Sequence, residues 1–191
     1  MKIFLIRHGQ TTGDVEDRYG GDYDDHLTKL GKTQAKGLAK NLKNKKIEII
    51  FHSPLIRAKE TTKILNEELN VKTKELKELK ERNNYGVLTG LEKSRAVKLH
   101  PEEVDKINKN KIHHDVKNSE SYKEFKERIN HVYTSLEKQN YNVIAVITHG
   151  GVISTIVREI LKLGEFKKLG DCGYIEIDDK KLVSLENAEL K

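Results

Sequence analysis

The chain has 191 residues, 36% of them hydrophobic and 35% charged, and a formal net charge of +6. That length suits one domain, 1–191, with a substantial core, and a single cysteine excludes an internal disulfide or a cysteine-built zinc cluster. The positive charge is dispersed, with lysine interleaved with glutamate as in KELKELKER (74–82) and no arginine tract or aromatic ladder, so nucleic acid is not the expected partner. The opening apolar run, Ile3 to Ile6, is too short for a signal peptide, and no run approaches the ~18 residues of a membrane span. A cytoplasmic protein without a membrane partner is expected.

Residues 2–14, KIFLIRHGQTTGD, begin with an apolar run that suits a buried strand of a parallel sheet. Arg7, His8 and Gly9 then stand at its carboxyl end, where open α/β sheets bind their ligands. Residues 10–27 are polar and turn-rich, a long loop over that strand end. Asp22, Asp24 and Asp25 do not make an EF-hand, because Leu27 and Thr33 stand where Gly and Glu are required; they read as loop surface or pocket rim.

Thr28 can cap a helix through about Leu42. Residues 47–52 predict a second strand, and Ser53 with Pro54 reads as the cap and first turn of the next helix. Arg57 in that first turn opposes the helix dipole, which an anion bound there would explain. A third strand over 71–76 precedes a tight loop bearing Glu81, Tyr85 and Gly86, followed by short helical pieces and polar loop through 118, where His113 and His114 read as solvent-exposed. Ser121 and Glu124 form a capping box for a helix buried through Phe125, Ile129, Val132, Tyr133 and Leu136. Val143–Ile147 is a second fully apolar strand, ending in Thr148, His149 and Gly150 before an amphipathic helix. Residues 173–190 read as a closing hairpin turning at Asp178 and Asp179, and Cys172 as a small buried hydrophobe.

Strands alternating with helices imply a three-layer α/β/α fold, its central sheet mostly parallel and helices on both faces. One sheet edge would then gather Arg7, His8, Arg57 and His149, with Glu81 nearby: an anion site for which phosphate is the natural guest. Arginine is rare here, only seven residues among 36 basic ones, which hints at positions where lysine would not serve. Arg95, Arg128 and Arg158 fall on predicted helices and read as ordinary surface.

RHGQT at 7–11, SPLIRAKET at 53–61, ERNNYGVLTGL at 81–91 and THGG at 148–151 together resemble the histidine phosphatase superfamily, the phosphoglycerate mutase-like proteins. The resemblance implies that His8 is the nucleophile that becomes phosphohistidine, that Arg7, Arg57 and His149 clamp the phosphoryl oxygens, and that Glu81 is the proton donor and acceptor. It also places Gly9, Gln10, Thr11, Asp14, Gly21 and Gly150 around the substrate, with no metal. Three departures stand out. Asp14 occupies a position where the family has Asn. One extra residue separates Glu81 from Gly86. No arginine occurs in 105–120, where the mutases carry a pair, and Lys109 and Lys111 are imperfect stand-ins for it.

A phosphatase acting on a small phosphorylated substrate without a cofactor is therefore expected. The alternative is a phosphoglycerate mutase, which would need 2,3-bisphosphoglycerate, and the remote one is a non-catalytic phosphate-binding module. A homodimer is left open.

Overall fold

The computed structural model describes residues 1–110 and 116–191. Lys111, His113 and His114 lie outside them. Six strands form one sheet in the order β3-β2-β4-β1-β5-β6: β1 (Lys2–Arg7), β2 (Ile49–His52), β3 (Lys72–Glu75), β4 (Val143–Thr148), β5 (Phe166–Asp178) and β6 (Lys181–Leu190). The first four are mutually parallel, while β5 runs antiparallel to β1 and β6 to β5.

The apolar runs of β1 and β4 are buried on both faces, which is why neither shows period-two alternation. Ile3 and Leu5 face one core with Phe125, Ile129 and Val132 of α6 (Tyr122–Glu137) and Val152 and Ile153 of α7 (Gly150–Thr155). Phe4 and Ile6 face the other, with Ala35 and Leu38 of α2 (Lys29–Leu42) and Ala58 and Leu65 of α3 (Ile56–Leu69). Helices thus cover both faces of a mostly parallel sheet, as expected. A third, smaller core joins Tyr19 and Leu88 to Ala96 of α4 (Lys93–Leu99) and to Val104 and Ile107 of α5 (Pro101–Lys109). No described helix is long and apolar enough to cross a membrane.

Two local readings change. Ser53 does not cap α3: that helix starts after Leu55, and the Ile56 N–H donates instead to Asp24 Oδ1 at 2.7 Å. The hairpin is also longer, because β5 already pairs from Phe166, with Leu169 opposite Ala188, across register shifts. Cys172 sits at such an irregularity with φ of 54°, buried, its thiol pKa pushed up to about 12 by desolvation. The turn has positive φ at Asp179 and Lys180, as a two-residue type I′ connection requires.

Candidate active site

Parallel pairing aligns the strand tips. Arg7 pairs with Thr148, the His8 N–H donates to Thr148 O at 3.1 Å, and the Ser53 N–H donates to Ile147 O at 3.0 Å. Side chains from three strand ends therefore meet at one edge, beside a cavity of about 480 Å³. Its wall includes Arg7, His8, Thr11, Asp14, Gly21, Arg57, Glu81 and Gly150 from the expected set. Gln10 and His149 are not on that wall: His149 is buried just behind it, and the Gln10 side-chain oxygen accepts the Thr28 hydroxyl at 2.8 Å, tying the loop to α2. Gly9 serves closeness instead, since a Cβ there would meet Gly31 O at 2.7 Å.

His8 is buried and held at both ring nitrogens. Nδ1 lies 2.8 Å from Gly9 O, an acceptor only, so Nδ1 carries the hydrogen. Nε2 is left with its lone pair and accepts from Arg57 Nε at 3.1 Å. His149 is fully buried, its ring centroid 5.1 Å from that of His8. Desolvation first, then the charge of Arg57, holds both imidazoles well below their ordinary pKa. Both are neutral in the folded protein.

This neutrality has a sign in stability. Below pH 6.5 the unfolded chain binds a proton at each ring that the folded chain refuses, so stability falls as pH falls through that window. Urea titrations should therefore show His149→Gln losing less stability than the wild type between pH 7 and 5. Parallel curves would refute the assignment.

Arg57 is buried to the same depth as its partner Asp25. Its Nη1 donates to Asp25 Oδ1 at 3.0 Å and to Tyr23 O, and its Nη2 to Gly21 O at 2.8 Å. Of the three acidic loop residues, Asp25 thus belongs to the site, Asp24 caps α3, and Asp22 pairs with Lys80 at 2.7 Å. Arg7 is held from behind by Leu169 O at 2.8 Å and Asp171 Oδ1 at 3.2 Å. Asp14 spends Oδ2 on the Thr11 N–H and hydroxyl, at 2.9 and 2.8 Å, within a capping box for α1 (Thr12–Val15). A carboxylate at this wall is thereby satisfied within its own turn.

Glu81 reaches the cavity despite the extra residue before Gly86. Its Oε2 accepts from the Gly151 N–H and its Oε1 from the Arg82 N–H, each at 2.9 Å. A Cβ at Gly151 would lie 2.5 Å from Oε1, so this approach requires glycine. Arg128 fixes the approach to Glu81: it grips Glu120 with two bonds of 2.9 and 2.7 Å and the carbonyls of Glu78 and Lys80. Arg158 lines the cavity and bonds Tyr122 Oη at 2.5 Å. Neither is ordinary surface, whereas Arg95 is exposed.

Arg82, unassigned from sequence, is buried in the cavity wall over the Tyr122 ring at 5.6 Å. The scarcity of arginine was the signal that could have found these three. Lys109 pairs with Asp105 at 2.5 Å, largely exposed. Among the described residues no three His, Cys, Asp or Glu side chains converge as metal ligands.

Two neutral imidazoles set among guanidinium groups at the strand tips of an α/β/α sheet suit a tetrahedral oxyanion, which makes the class one of phosphoryl-transfer enzymes. The chain belongs to the histidine phosphatase superfamily (branch 1), whose family description matches residues 3–178. It is 28% identical over 159 residues to an uncharacterized phosphatase of Bacillus subtilis, covering 83% of this chain and 76% of that one. It is 32% identical over 161 residues to phosphoglycerate mutase-like protein 4 of Arabidopsis thaliana, covering 81% and 69%. In fold it is similar to the alpha-ribazole phosphatase of Shigella flexneri, with TM-score 0.84, 24% identity and coverage of 98% and 96%.

Proposed function

We propose that the protein is a cytoplasmic phosphatase hydrolysing small phosphomonoesters through a phosphohistidine on His8, without a resident cofactor. The observation that carries this reading is the fixed His8 tautomer, which leaves the Nε2 lone pair at a cavity shared with Glu81. Substrate binding would draw the Arg57 Nε–H from Nε2 onto a phosphoryl oxygen, uncovering the nucleophile. Nε2 attacks phosphorus, the P–O bond breaks, and protonated Glu81 gives its proton to the leaving oxygen. The Glu81 carboxylate then takes a proton from water as that water attacks phosphorus, releasing inorganic phosphate and neutral His8.

The test is a panel of phosphomonoesters assayed in EDTA, with and without 2,3-bisphosphoglycerate. Phosphate release unaffected by the chelator is expected. Glu81→Gln should lose on the order of 10²–10³-fold on alkyl phosphates but much less on p-nitrophenyl phosphate, whose leaving group needs no proton. The mutase reading, favoured by the named likeness to a phosphoglycerate mutase-like protein, predicts instead slow phosphate release and strong stimulation by 2,3-bisphosphoglycerate of exchange between 3- and 2-phosphoglycerate.

A further inference from the structure

Ser53 is completely buried, and its hydroxyl has two contacts. The Leu55 N–H donates to Oγ at 3.3 Å, and His149 Nε2 lies 2.6 Å from Oγ. A serine hydroxyl offers one hydrogen and two lone pairs. The Leu55 N–H occupies a lone pair, and an amide N–H cannot accept. The hydroxyl hydrogen is therefore satisfied only by His149 Nε2, which must present its lone pair.

His149 is neutral, so its one ring hydrogen then sits on Nδ1. That nitrogen is buried and meets no acceptor in the protein. The opposite tautomer would strand the serine hydrogen and leave a bare lone pair at Nδ1, two failures where the first arrangement has one.

We propose that Ser53 is a positioning residue that fixes His149 as its Nδ1–H tautomer, so that the ring meets a phosphoryl oxygen as a neutral hydrogen-bond donor. This rests on the reading of the cavity as a phosphoryl site. With ring centroids 5.1 Å apart, an oxygen of a phosphoryl group on His8 is the acceptor that the orphaned Nδ1–H awaits. The two histidines thus carry their hydrogens on the same atom for opposite ends. His8 spends its Nδ1–H on Gly9 and offers a lone pair, whereas His149 spends its lone pair on Ser53 and offers an N–H.

The experiment combines ¹⁵N-histidine NMR, which reports which ring nitrogen bears hydrogen, with titration by inorganic phosphate. His149, assigned by the loss of its signals in His149→Gln, should show a protonated Nδ1 in the wild type. Ser53→Ala should shift that ring to a mixture of tautomers and weaken phosphate binding about tenfold. In the His149→Gln background the same Ser53→Ala change should cost nothing further, because its effect passes through the ring.

A wild-type His149 protonated at Nε2 overturns the proposal even if Ser53→Ala fails to fold. So does a folded Ser53→Ala protein whose phosphate affinity stays within twofold. If the wild type does not bind phosphate at all, the phosphoryl-site reading itself is lost.

Discussion

His8→Asn is expected to abolish turnover, on the order of 10⁴-fold in kcat, with the fold intact. Asparagine keeps a polar group near the Gly9 carbonyl and Arg57 but offers no ring lone pair, so the covalent route closes while the cations stay in place. The second readout is chemical. Rapid quenching of the wild type with labelled substrate should trap phosphoprotein stable to base and labile to acid, and His8→Asn should yield none. His149 cannot substitute as nucleophile, because its Nε2 is engaged by Ser53 at 2.6 Å. A His8→Asn enzyme that retains a tenth of wild-type activity, or that still forms phosphoprotein, would end the assignment.

How far the sequence carried depended on whether a residue's partner was near it in the chain. Ile3 to Ile6 and Ile144 to Ile147 announce their burial by composition, and Ser121 with Glu124 announces its cap by spacing alone. Parallel strands then bring Arg7, His8 and His149 to one edge as a consequence of topology. Ser53 is the instructive failure: serine before proline is a sound helix-start signal, yet this hydroxyl is taken by a histidine 96 positions away. Asp25 could not be ranked above Asp22 or Asp24, because what distinguishes it is a buried guanidinium from another element.

The start of β5 was invisible for a different reason. Its pairing is interrupted by register shifts, and its apolar residues before Asp171, Phe166 and Leu169, stand three apart among Lys167, Lys168 and Gly170, without the period-two alternation that marks a strand. Arginine scarcity was the one compositional clue that reached tertiary structure. It applied to Arg82, Arg128 and Arg158 as it did to Arg7 and Arg57, and helical context was a poor reason to set it aside.

Arg57→Met is the second large effect, and it separates scaffold from chemistry. The guanidinium serves four acceptors, namely His8 Nε2, Asp25 Oδ1 and the carbonyls of Gly21 and Tyr23. Removing it leaves the Asp25 carboxylate buried without its cation, which costs about 3–5 kcal/mol. It also deletes a cation facing the phosphoryl site, so kcat/KM should fall on the order of 10³-fold. Adding Asp25→Leu to Arg57→Met removes the stranded charge, and replacing a buried ion pair by apolar side chains is often close to neutral. The double variant should therefore recover most of the lost stability in chemical denaturation while its kcat/KM stays at the level of Arg57→Met. Recovery of both together would mean that Arg57 acts by holding residues 21–25 in place, and that its charge is not spent on the phosphoryl group.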